Sequence, residues 1–88
     1  MYLHLGNDTI IRKDDIIGIF DLDASTLSYK TRDFLAEAEK NGRVVNVSME
    51  LPKSFVVCRE KDGCKIYICQ LSPVTLIRRA SQLGHPAE

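Results

Sequence analysis

The sequence has no tryptophan, only three tyrosines and three phenylalanines, and no net charge over 88 residues. So few aromatics leave little with which to stack single-stranded bases, and an RNA-binding role is the weakest reading. No apolar run approaches the roughly 20 residues that span a bilayer. No basic stretch followed by an apolar segment and a small-residue cleavage site opens the chain. A cytoplasmic protein without a leader, and without a membrane partner, is expected. No glycine-rich phosphate loop, nucleophile elbow or Cys-x2-Cys zinc pattern is present. The expectation is therefore a protein that is not an enzyme and uses no cofactor, metal or small-molecule substrate.

Cysteine is scarce and odd in number: Cys58, Cys64 and Cys69. In a leaderless chain that argues for reduced thiols. Their Cys-x5-Cys-x4-Cys spacing lies across a hairpin, with Cys58 and Cys69 on one face as diagonal neighbours and Cys64 on the other. They cannot close around one zinc, and they read as buried structural thiols. His4 and His85 each lack partners at ligand spacing. Asp14-Asp15 and the Asp21/Asp23 pair mark strand ends more readily than acid–base chemistry.

A chain of this length is expected to form a single domain, folded over residues 1–84 with a short tail at 85–88. It buries only about 60–65% of its unfolded surface, and oligomerisation is a common remedy. Charge is unevenly spread. Residues 1–50 hold six Lys/Arg and nine Asp/Glu, and residues 51–88 hold six and three, giving −3 and +3.

The opening Met1-Tyr2-Leu3-His4-Leu5 alternates, and Thr9-Ile10-Ile11 resumes strand composition. Gly6-Asn7 between them reads as a two-residue hairpin turn. A third strand over 15–22 is apolar on both faces, with Ile17 and Ile19 opposed to Ile16, Phe20 and Leu22. After the connector 24–28, Ser28 caps a helix from about Tyr29 to Asn41. Thr31, Phe34, Leu35 and Ala38 form its stripe, and Gly42 ends it. Residues 43–48 return to strand. Ser54–Arg59 and Cys64–Cys69 form a hairpin with Asp62-Gly63 at its turn, which sets Glu60 against Lys65. Both faces of that hairpin are apolar. Ser72 caps a last helix with Pro73 at its first position. Leu76, Ile77, Ala80 and Leu83 are its apolar stripe, Arg78 and Arg79 flank it toward solvent, and Gly84 stops it. The expected fold is α+β, a small, mostly antiparallel sheet of five to six strands with two helices. Two helices are few for a sheet apolar on both sides, so either the sheet folds over on itself or another subunit covers it.

Basic residues at Arg12, Lys13, Lys53, Arg59, Lys61, Lys65, Arg78 and Arg79 offer phosphate contacts if they gather on one rim. Arg59, Lys61, Arg78 and Arg79 are candidates from charge and placement alone.

The segments "MYLHLGNDTIIRKDDIIGIFDLD", "PKSFVVC" and "LSPVTLIRRA" together resemble the small bacterial regulators of extracellular-matrix genes, the RemA/RemB type, over nearly the whole chain. The resemblance implies a cytoplasmic regulator of biofilm-matrix genes with a subunit similar to the LytTR type of DNA-binding domain. It further implies a homo-oligomeric ring that wraps double-stranded DNA around a basic outside. Lys53 is the DNA-binding position that carries over. Where the pattern has arginines, this chain has Asp15, Glu50 and Leu51. Two readings follow: an oligomeric, DNA-associated transcriptional regulator, or a protein-interaction module of the same fold that has lost direct DNA binding.

Overall fold

The computed structural model describes residues 1–22 and 28–83. Asp23, the connector residues 24–27, the Gln82 and Leu83 side chains, Gly84 and the tail from His85 fall outside this description.

Among the described residues the architecture is α+β, with six strands in two sheets and two helices. Strands β1 (Tyr2–Gly6) and β2 (Thr9–Arg12) form an antiparallel hairpin. A 3-10 turn over Lys13–Asp15 leads into β3 (Ile16–Asp21). Helix α1 (Tyr29–Lys40) is followed by the short β4 (Val44–Asn46). Strands β5 (Ser54–Glu60) and β6 (Gly63–Cys69) form the second hairpin, and α2 (Pro73–Leu83) ends the described fold. The larger sheet has the order β3-β5-β6-β4, antiparallel except where β4 runs parallel to β6.

The helix ends follow local chemistry. The Ser28 hydroxyl accepts the Thr31 N–H at 3.1 Å, and Ser72 does the same for Thr75 at 3.2 Å. Each satisfies an amide that the first turn leaves orphaned. Gly42 takes the left-handed position after α1, with φ 71°. Ile77, placed on the apolar stripe of α2 by its spacing, is instead half exposed; Leu76 and Ala80 face the core.

The larger sheet is the middle layer, and its two faces bury different cores. Val56, Cys58 and Cys69 on one face pack under Leu3, Leu5 and Ile11 of the first hairpin and Leu76 of α2. The sheet is thus folded over on this side by a second, two-stranded sheet of the same chain. Phe55, Val57 and Ile66 on the other face pack against Ala38 and Leu35 of α1. Residues Ser54 through Cys58 of β5 are all buried, as a strand covered on both faces requires.

Three register details differ from the sequence expectation. The first turn is Asn7-Asp8, both at positive φ (46° and 65°), and Gly6 belongs to the strand, paired with Thr9. Short polar Asn and Asp tolerate that conformation, so the turn moves by one residue. In β3, a bulge between Ile16 and Gly18 breaks strict alternation. Ile16 and Ile19 therefore share a face, both packed on the Leu3–Leu76 core, while Phe20 stacks on Phe55 on the other face with ring centroids 5.1 Å apart.

In the second hairpin, Glu60 pairs with Gly63 and Cys58 with Lys65, so the turn is Lys61-Asp62 and the positive φ falls on Gly63 (136°). The expected Glu60–Lys65 pairing is not made. The shift is two residues, which preserves side-chain parity, and the predicted faces hold. Cys58 and Cys69 do share a face, but Cys69 sits opposite Ser54, four positions along the strand from the Cys58–Lys65 pair. They are not diagonal neighbours.

Candidate nucleic-acid interface

The five candidate side chains Lys53, Arg59, Lys61, Arg78 and Arg79 are all exposed, but the fold spreads them over three places. Lys53 precedes β5 and Lys61 follows it, so the strand separates them by more than about 20 Å. Arg59 and Lys61 come together at the β5–β6 tip, while Arg78 and Arg79 lie on α2.

Lys53 is mounted on fixed backbone. Its N–H donates to the Cys69 carbonyl at 2.8 Å, and its carbonyl accepts the Leu22 N–H at 3.0 Å. These bonds extend the sheet one residue past β5 on both sides. The side chain borders a groove shared with Asp21, Leu22, Pro52 and the first residues of α2, Ser72 and Pro73. Asp21 moderates the positive field there.

The hairpin tip mixes signs more closely. Gly42, Arg43, Glu60, Lys61, Asp62, Cys64 and Lys65 line one concavity. Lys65, which the sequence grouped with Arg59 and Lys61, is half-buried opposite Cys58, on the sheet face that alternation denies to Arg59. On α2, Arg79 donates through Nη1 to the His4 carbonyl at 3.4 Å, so that guanidinium also ties the helix to β1. The His4 side chain points to solvent from β1.

Two further basic residues, Lys13 and the unforeseen Arg43, are engaged with main chain. Lys13 Nζ donates to the Ala80 carbonyl at 2.5 Å, placing a cation near the negative end of α2. Arg43 reaches the β5–β6 turn, donating to the carbonyls of Asp62 and Cys64 at 2.9 and 3.3 Å. The signal for Arg43 was its place directly after the helix-ending Gly42; nothing in the sequence showed that the turn would lie within its reach.

Asp15, Glu50 and Leu51, which the resemblance expects to be arginines, are also placed. Asp15 is half-buried in the 3-10 turn, and with Glu60 its charge adds to burial in pushing the Cys58 thiol up to about 11. Burial does the same for Cys69, to about 11, although its side-chain interaction with Ser54 acts against it. At neutral pH both are inert thiols. Glu50 and Leu51 stand exposed in the loop before β5, where the Glu50 N–H donates to Ser48 Oγ at 3.1 Å. The carboxylates of Asp15 and Glu50 offer no donor to a phosphate and carry charge of its sign.

On the α1 side, an open apolar groove of about 410 Å³ runs between α1 and the β3 edge, lined by Ile17, Phe20, Phe34, Phe55 and Val57. Phe34, expected to be buried, is 44% exposed on its wall, so α1 covers this face only in part.

Residues 2–80 match the RemA-like family, described as extracellular matrix regulatory protein A-like. The chain belongs to that family. It is also 39% identical over 80 residues to extracellular matrix regulatory protein B of Bacillus subtilis (strain 168), covering 91% of this chain and 90% of that one. Among the described residues, no helix of this RemA-like chain is long and apolar enough to cross a membrane.

Proposed function

We propose that the chain is an oligomeric, non-enzymatic, DNA-associated regulator of extracellular-matrix genes. The observation that carries this reading is the match to extracellular matrix regulatory proteins over nearly the full length of both chains. Two features of the fold support its finer parts. Lys53 and the Arg59–Lys61 tip present exposed cations on braced backbone. The groove leaves Ile17 and Phe20 about half exposed at a sheet edge, an apolar surface that a second copy of the chain would cover. One subunit offers scattered cations; several subunits in a closed assembly offer many at once, and multivalency multiplies weak contacts.

The test is a titration of the protein into a labelled duplex of about 40 base pairs, followed by anisotropy at low and moderate salt. Tight binding with a steep salt dependence is expected. A Lys53→Ala/Lys61→Ala variant should bind more weakly with a shallower slope. Unchanged affinity and slope in that variant would place the contact elsewhere on the molecule.

A second reading is a protein-interaction module of the same fold without DNA contact. The acidic residues beside two of the cations favour it: Asp21 near Lys53, and Glu60 and Asp62 around Lys61. It predicts no duplex binding even at low salt, with oligomerisation intact by light scattering.

A further inference from the structure

Arg43 stands where three elements meet. Its N–H donates to the Ala38 carbonyl at the end of α1, at 2.9 Å, and its carbonyl accepts the Ile66 N–H of β6 at 2.8 Å. With the backbone held on both sides, the side chain extends to the β5–β6 turn. There Nη2 donates to the Asp62 carbonyl at 2.9 Å and Nη1 to the Cys64 carbonyl at 3.3 Å.

Those two carbonyls flank Gly63, and the absence of a side chain at Gly63 is what admits the guanidinium. A Cβ on Gly63 would lie 3.0 Å from Arg43 Nη1. A planar fork suits two acceptors side by side, whereas a lysine ammonium is a point donor at the end of a flexible stem. Bonds from a charged donor are also stronger than neutral ones. The guanidinium thus grips the main chain of the very turn that carries Lys61.

We propose that Arg43 is a positioning residue: it locks the β5–β6 turn and so fixes how Lys61 is presented to nucleic-acid phosphate. This rests on the DNA-binding reading above. Arg43 acts through the turn and not by touching DNA.

The test uses the full chain and four variants: Arg43→Lys, Gly63→Ala, Lys61→Ala and Arg43→Lys/Lys61→Ala. Hydrogen exchange is read at the amides of residues 60–64, and affinity for the same duplex by anisotropy at low salt. Arg43→Lys keeps the charge but not the fork. It should speed exchange in the turn by about tenfold or more while leaving β1 and α2 amides unchanged. It should weaken duplex binding severalfold, and that loss should vanish in the Lys61→Ala background, because the two residues act in series. Gly63→Ala, which displaces the guanidinium from the other side, should reproduce both effects.

Unchanged exchange in the turn overturns the proposal. So does an equal loss of affinity with and without Lys61, which would make Arg43 a direct contact. If the parent protein binds no duplex, the DNA reading fails and the positioning role falls with it. If the parent binds and Arg43→Lys binds equally well, the positioning role alone is refuted.

Discussion

Ile16 and Ile19, three residues apart on one strand, pack into the same core. A regular strand would send them to opposite faces; the bulge between Ile16 and Gly18 brings them together. Ile17 is thereby left 55% exposed beside the groove. Ile19→Ala should therefore cost about 1–3 kcal/mol, and Ile17→Ala less than about 0.5 kcal/mol. Urea denaturation of the two variants decides this, and equal costs would mean that the bulge is not where the structure puts it.

Gly63 at φ 136° occupies a backbone region closed to other residues, and Arg43 fills the space beside it. Gly63→Ala should destabilise the fold by about 1–3 kcal/mol. Gly42→Ala, with nothing within 4 Å of its added Cβ, meets only the φ penalty and should cost less. A reversed order in denaturation midpoints would discount the contact with Arg43.

The Cys58 and Cys69 thiols, raised by burial from 9.0 to about 11, favour the protonated form in the folded state. Between those values the native state holds protons that the unfolded chain has released. Their contribution to stability is thus complete below about pH 9 and is lost as pH rises toward 11. Tyr67, also raised by burial, adds to the same trend. Denaturation midpoints measured from pH 8 to 11 should fall less steeply in Cys58→Ala/Cys69→Ala than in the parent. Parallel curves would show that the thiols do not titrate in that window.

Ser54 is fully buried, and its hydroxyl donates to the Leu71 carbonyl at 2.7 Å, fixing the chain between β6 and α2. Ser54→Ala leaves that acceptor without its donor and should cost about 1–3 kcal/mol. Melting temperature and the far-ultraviolet signal of α2 report the loss; an unchanged melting temperature would argue that water replaces the hydroxyl.

Legibility in the sequence followed the range of the forces. Caps at Ser28 and Ser72, the helix stop at Gly42 and the two-faced character of β5 depend on near neighbours, and they were readable. The second hairpin was readable in its faces but not its register, because a two-residue shift leaves parity intact while moving Lys65 from Glu60 to Cys58. The bulge at Ile17 left no local mark, since isoleucine suits either face. The basic candidates could be identified one by one, but not their separation. That depends on β5 standing between Lys53 and Lys61, and on the reach of Arg43 and Lys13 to main chain that lies 19 and 67 residues away.

The first hairpin and the last helix depend on each other. Leu3 and Leu5 share their core with Leu76, Lys13 caps the Ala80 carbonyl, and Arg79 reaches His4 across 75 residues. A two-stranded hairpin alone is at best marginal in water. On the ribosome, then, β1 and β2 have no finished place to sit until α2 has emerged. The described fold is complete only when its last helix docks on its first hairpin, and truncation of α2 would expose the Leu3–Leu5 face as surely as a mutation within it.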